Sequence, residues 1–84
     1  MAVILTGRLH KNENGRWEII DESPRKLGRI ELTSGDVVEL LNGTEWVTTR
    51  IESRNSPAPP FTAEYYAVDG SVLYSGKAAR CRIQ

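Results

Sequence analysis

Apolar and polar residues alternate in short runs along this chain, and each run stops at Gly, Asn, Ser or Pro. Val3–Leu9 is the first run. Arg16–Ile20 follows, with Trp17 and Ile19 on one face and Glu18 on the other. In Arg29–Leu32, Ile30 and Leu32 share the inward side. Asp36–Leu41 comes next, then Glu45–Glu52, where Val47, Thr49 and Ile51 oppose Trp46, Thr48, Arg50 and Glu52. Glu64–Asp69 and Lys77–Ile83 complete the set, with Ala79, Cys81 and Ile83 on one side of the last. Successive strand side chains point to opposite faces, so each run predicts a strand with one face to a core.

The breaks between runs carry turn chemistry. Asn14-Gly15, Asn42-Gly43 and Asp69-Gly70 read as two-residue hairpin turns, whose central residues must tolerate positive φ. Ser34-Gly35-Asp36 and Ser75-Gly76-Lys77 are further turns. No stretch has the period of a long helix. Ser23-Pro24-Arg25-Lys26-Leu27 offers one turn, with Ser23 as cap and Pro24 at the first position. Residues 53–62 hold Pro57, Pro59 and Pro60, which lack the N–H that a ladder needs, so this stretch reads as a loop. Five to seven short antiparallel strands with tight turns predict an all-β fold, a small barrel or sandwich. The 84 residues allow one domain, taken as residues 1–84.

Charge narrows the function. Eleven Lys plus Arg balance eleven Asp plus Glu. A general nucleic-acid binder carries a basic excess, because its affinity comes largely from phosphate neutralisation. The balance hides an order, however. Glu31, Asp36, Glu39 and Glu45 are the only charges from residue 30 to 45, and Lys77, Arg80 and Arg82 the only ones after residue 69. Either the two stretches face each other across a sheet and neutralise, or the basic end is left free as a binding edge. The longest apolar run, Ala2–Leu5, is far short of the roughly 20 residues that span a bilayer. A lone Cys81 permits no internal disulfide and fits a cytoplasmic setting.

The chemistry of catalysis is thin. His10 and Cys81 fall short of the four ligands that a structural zinc needs, so neither a metal nor another cofactor is expected. His10, beside Lys11, reads as a solvated strand-end residue. Cys81, on an inferred core face, reads as a buried structural thiol. Asp21-Glu22 reads as a solvated turn. No catalytic residue is assigned, and no enzyme is expected.

Gly35-Asp36-Val37-Val38-Glu39-Leu40, Gly43-x-x-Trp46, Thr49-Arg50-Ile51-Glu52 and Tyr65-Tyr66-Ala67-Val68 together resemble an SH3-like barrel of the Tudor or Agenet type. With Gly28-Arg29, Leu32, Leu73, Gly76 and Arg80-x-Arg82-Ile83 added, the pattern resembles a family of small proteins known only as a domain of unknown function. That family is found in Gram-positive bacteria and their mobile elements. The resemblance spans about two thirds of the chain, and residues 53–62 depart from it, being longer than a short turn. It implies a barrel and an accessory or regulatory role, and no catalytic residue.

Candidate binding residues are therefore the aromatics and cations of the second half: Trp46, Arg50, Phe61, Tyr65, Tyr66, Lys77, Arg80 and Arg82. Aromatic rings at one barrel end attract cations or stack on proline ridges or bases. Tyr65 and Tyr66 are adjacent in a strand and so face opposite ways. The plain reading makes Trp46 and one tyrosine core fillers. The functional reading is a protein or peptide partner met by Trp46, one tyrosine and the proline loop. The alternative is weak nucleic-acid binding through Lys77, Arg80 and Arg82. A third expectation is a homodimer, formed where the Val3–Leu5 and Glu64–Asp69 strands meet across an edge.

Overall fold

In the computed structural model, which describes residues 3–22, 28–59 and 62–83, seven antiparallel strands form one curled half-barrel. They are β1 (Val3–Lys11), β2 (Trp17–Asp21), β3 (Arg29–Glu31), β4 (Val37–Asn42), β5 (Glu45–Asn55), β6 (Ala63–Ala67) and β7 (Ala78–Ile83). No helix occurs among the described residues, and so none long and apolar enough to cross a membrane. The single turn expected at Ser23–Leu27, and Phe61, lie outside the described residues.

The strand order is β3-β2-β1-β7-β4-β5-β6. Two three-stranded meanders thus lie side by side, and β7 is the seam. It pairs with β1 over six residues, from Val3↔Ile83 to Arg8↔Ala78. With β4 it shares only Glu39↔Arg80 and Leu40↔Ala79. The β4–β5 ladder runs on past Val37, because Ile51 bonds Gly35 and Asp36 at 2.7 and 2.8 Å.

Alternation holds in the core, where Ile19, Leu32, Ile51 and Ala79 are buried as read and β1 and β4 add residues of their own. Leu5 and Leu9 of β1, Ile19 of β2, Val38 and Leu40 of β4, Ile51 of β5 and Ala79 of β7 are all buried, with Leu32 beside them. Glu18 faces the other way from Trp17 and Ile19, yet it too is buried, with the Arg29 guanidinium 3.7 Å from its carboxylate.

The turns depart in detail from the expected two-residue Asn-Gly hairpins. Across the first, Asn12 and Arg16 form the closing pair, and Gly15 donates to the Asn12 carbonyl at 3.0 Å. That is a three-residue loop with Gly15 in the left-handed position (φ 78°). Asn12 Oδ1 accepts from the N–H groups of Asn14 and Arg16, which makes the longer loop worth its extra residue. In the second, Asn42 pairs with Glu45, so the central residues are Gly43 and Thr44. Asp69-Gly70 makes a turn but no hairpin, because the chain then runs to β7 on the far side of β4. β5 also extends three residues past its expected end, to Asn55, and shortens the proline loop.

Candidate functional site

The basic end is not a free edge. Arg80 is held between a carboxylate and a ring: Nε and Nη2 donate to the two oxygens of Glu39 at 3.2 and 3.1 Å, and its guanidinium carbon lies 4.1 Å from the centroid of Trp46. Cross-strand register explains this, since Glu39 sits opposite Arg80 and the Trp46 strand lies on the other side of β4. The acidic middle and the basic end therefore neutralise at this pair. Arg80, Glu39 and Trp46 staple the outer side of the seam, while Leu40 and Ala79 close its inner side. Arg80→Ala is expected to cost about 1–2 kcal/mol, from a half-exposed bidentate pair and one cation–π contact. Urea titration checks this, and a loss near zero would make the staple ornamental.

Lys77 departs furthest from its expected place. It shares parity with Ala79 and Cys81, so it points inward and is only 6% exposed. Its ammonium donates to Asn42 Oδ1 at 2.7 Å and lies 5.0 Å from the Tyr74 ring. Asn42 Nδ2 donates onward to Ser71 Oγ, and Ser71 donates to Asp69. The Asp69 carboxyl is held below its ordinary value, chiefly by the Ser71 N–H and hydroxyl. Arg50 pairs with Glu52 at 2.6 Å, and Ser34 donates to the same carboxylate at 2.5 Å. Those two contacts, Ser34 first, hold the Glu52 carboxyl below its usual range. Of the basic candidates, Arg82 alone is exposed with no ion pair among the described residues. The convergence of Arg50, Arg80 and Lys77 on Tyr65 that an anion site would need does not occur. Cys81 is buried as read, and burial, with a lesser push from Asp36, raises its thiol pKa.

The aromatic candidates separate. Tyr65 leans on the core and is half-buried, whereas Tyr66 is 37% exposed on the outer face. Each carries a cation. Arg16 lies 5.8 Å from the Tyr65 ring centroid and Arg54 lies 5.2 Å from that of Tyr66. Tyr65 forms one wall of an open groove of about 1050 Å³. The β1–β2 hairpin forms the other wall with Lys11, Arg16 and Trp17, and Leu73 adds an apolar patch. Arg16 is aimed by Glu31 at 3.1 Å, and Asn12 donates to the other Glu31 oxygen at 2.7 Å. Lys11 lies 5.9 Å from the Trp17 ring.

The groove therefore joins two residues from the candidate set, Tyr65 and the edge of Tyr66, to others that the alternation had not marked as binding, among them Lys11, Arg16, Trp17 and Leu73. Trp17 was assigned to the core, and it is buried, but its ring also borders the groove. Trp46 lies on the seam and not in the groove. No group of three or more His, Cys, Asp or Glu able to hold a metal occurs among the described residues. A family model described as a domain of unknown function (DUF5348) matches residues 7–83. No curated protein and no solved structure matches the chain.

Proposed function

We propose that this chain, which belongs to the DUF5348 family, is a non-enzymatic interaction module that docks a protein or peptide partner at the groove beside β6. The observation that carries this reading is the groove itself: Trp17, Tyr65 and Leu73 supply apolar surface, and Lys11 and Arg16 lie over the rings. Aromatic residues with Arg are the side chains that carry most binding energy at protein interfaces. The curled antiparallel sheet supports reading the fold as SH3-like, of Tudor or Agenet type. Cytoplasmic placement, and an accessory role in Gram-positive bacteria or their mobile elements, belong to the same proposal. Nucleic-acid binding ranks second, because Lys77 is buried and Arg80 is neutralised, which leaves Arg82.

Peptides selected on the protein by display test the groove. Titrated into labelled protein, a selected peptide is expected to shift the amide signals of Arg16, Tyr65 and Leu73. Tyr65→Ala is expected to weaken it at least about tenfold, the effect of losing one buried aromatic anchor. Peptides that instead perturb the Trp46–Arg80 face would sink the reading.

A further inference from the structure

The two ends of the sheet differ in how they are protected. β3 is three residues long and begins and ends on a charge, Arg29 and Glu31. Short, charged edges discourage pairing with another chain. β6 has five residues, with no Pro and no Lys, and its one charge, Glu64, lies on the outer face. Its even residues bond β5, as the flanking bonds show: Val68 N–H to Arg50 at 3.0 Å, and Ser56 N–H to Thr62 at 2.9 Å. Alternation then turns the N–H and C=O of Ala63, Tyr65 and Ala67 off the sheet. Gly70 takes the Ala67 carbonyl at 3.0 Å. Among the described residues, nothing meets the others.

We propose that a second copy of this chain supplies the missing strand, with the two β6 strands antiparallel about a two-fold axis at Tyr65. This rests on reading the β6 side as the docking face, and it names the occupant. Ala63-Glu64-Tyr65-Tyr66-Ala67 is self-complementary in that register. Tyr65 meets Tyr65, and Ala63 meets Ala67, so roughly four backbone hydrogen bonds form, two between the tyrosines and one from each Ala67 N–H to the Ala63 carbonyl of the other copy, the Ala67 carbonyls being held by Gly70. On the inner face the alanines leave room for two tyrosine rings. On the outer face Glu64 of one copy lies opposite Tyr66 of the other. Arg54 already leans over Tyr66 at 5.2 Å, so it also meets that carboxylate. The pairing of Arg54 with Glu64 in its own chain is loose, at 3.5 Å between two exposed side chains, and leaves both free to turn across the seam. The other expected edge, Val3–Leu5, pairs with β7 on one side and among the described residues is bare on the other, because β2 meets β1 only from Gly7 to Lys11; the dimer is assigned here to β6 alone.

Sedimentation over a concentration series, from about 1 μM to about 1 mM, tests this for an interface of one strand pair. The wild-type mass is expected to rise from monomer to dimer within that range. Ala63→Pro puts a ring carbon where the off-sheet N–H pointed and so blocks the approach of a second strand, at the first residue of β6, where proline is tolerated. It should leave the circular dichroism unchanged and abolish the dimer. Glu64→Arg puts a like charge beside Arg54 of the second copy and should weaken the dimer about tenfold. A wild-type monomer throughout the series overturns the proposal, as does a dimer indifferent to both variants. A monomer that still binds selected peptides through Tyr65 would overturn the second copy as occupant and leave the groove reading standing.

Discussion

Gly7→Ala is expected to remove a large share of the protein's stability. A Cβ at position 7 would overlap the Ile20 carbonyl, lying 2.5 Å from its carbon and 3.1 Å from Cα of Asp21. Those atoms are backbone, so no side chain can swing aside. Gly7 sits in β1 with partners on both sides, Asp21 of β2 and Ala79 of β7. Moving β2 away to admit the methyl breaks the first meander, and moving β1 breaks the seam. Overpacking in a rigid place costs about 3 kcal/mol or more. A domain of 84 residues holds roughly 4–13 kcal/mol in all. Thermal and urea denaturation of the variant check this, and a midpoint within a few degrees of wild type would show that β2 can yield.

Leu40→Ala is the second large loss, about 3–5 kcal/mol. Leu40 is wholly buried on β4, which lies between β5 and β7, opposite Val47 on one side and Ala79 on the other. Its neighbour across the seam is already the smallest side chain available, so little can collapse into the space. Burial without relaxation puts a Leu→Ala change at the upper end of its usual range. Leu40↔Ala79 is also one of only two register pairs between β4 and β7. The expected signature is therefore a fall in the urea midpoint together with loss of amide protection along β7. A variant that loses stability with β7 still protected would place the weak point elsewhere.

The faces of the strands were legible because alternation is a local property. Ile19, Leu32, Ile51, Ala79 and Cys81 could each be assigned inward from their own neighbours. Even Lys77 carried its warning, since it shares parity with Ala79 and Cys81, and only its charge argued for the surface. Strand order was not legible. Nothing local to Lys77–Ile83 says that it slots between β1 and β4, and without that order Arg80 cannot be matched to Glu39. The groove suffered in the same way. Tyr65 was marked by its chemistry, but its opposite wall comes from residues 11–17, some fifty positions away in the chain. Hairpin offsets failed for a smaller reason. Asn-Gly marks a turn, while the side-chain bonds of Asn12 decide how many residues it spans.

The place of β7 at the seam sets when the molecule can fold. Two meanders of local hairpins can form early, because each needs contacts only between neighbouring strands. Neither can find the other until residues 78–83 have been synthesised, since those residues bridge them. The first and seventh strands must then meet across the full length of the chain, which makes closure costly in chain entropy. Until that moment the nascent chain exposes the apolar faces of both meanders and the bare sides of β1 and β4. It is in this interval, before the last strand arrives, that the protein is most open to aggregation.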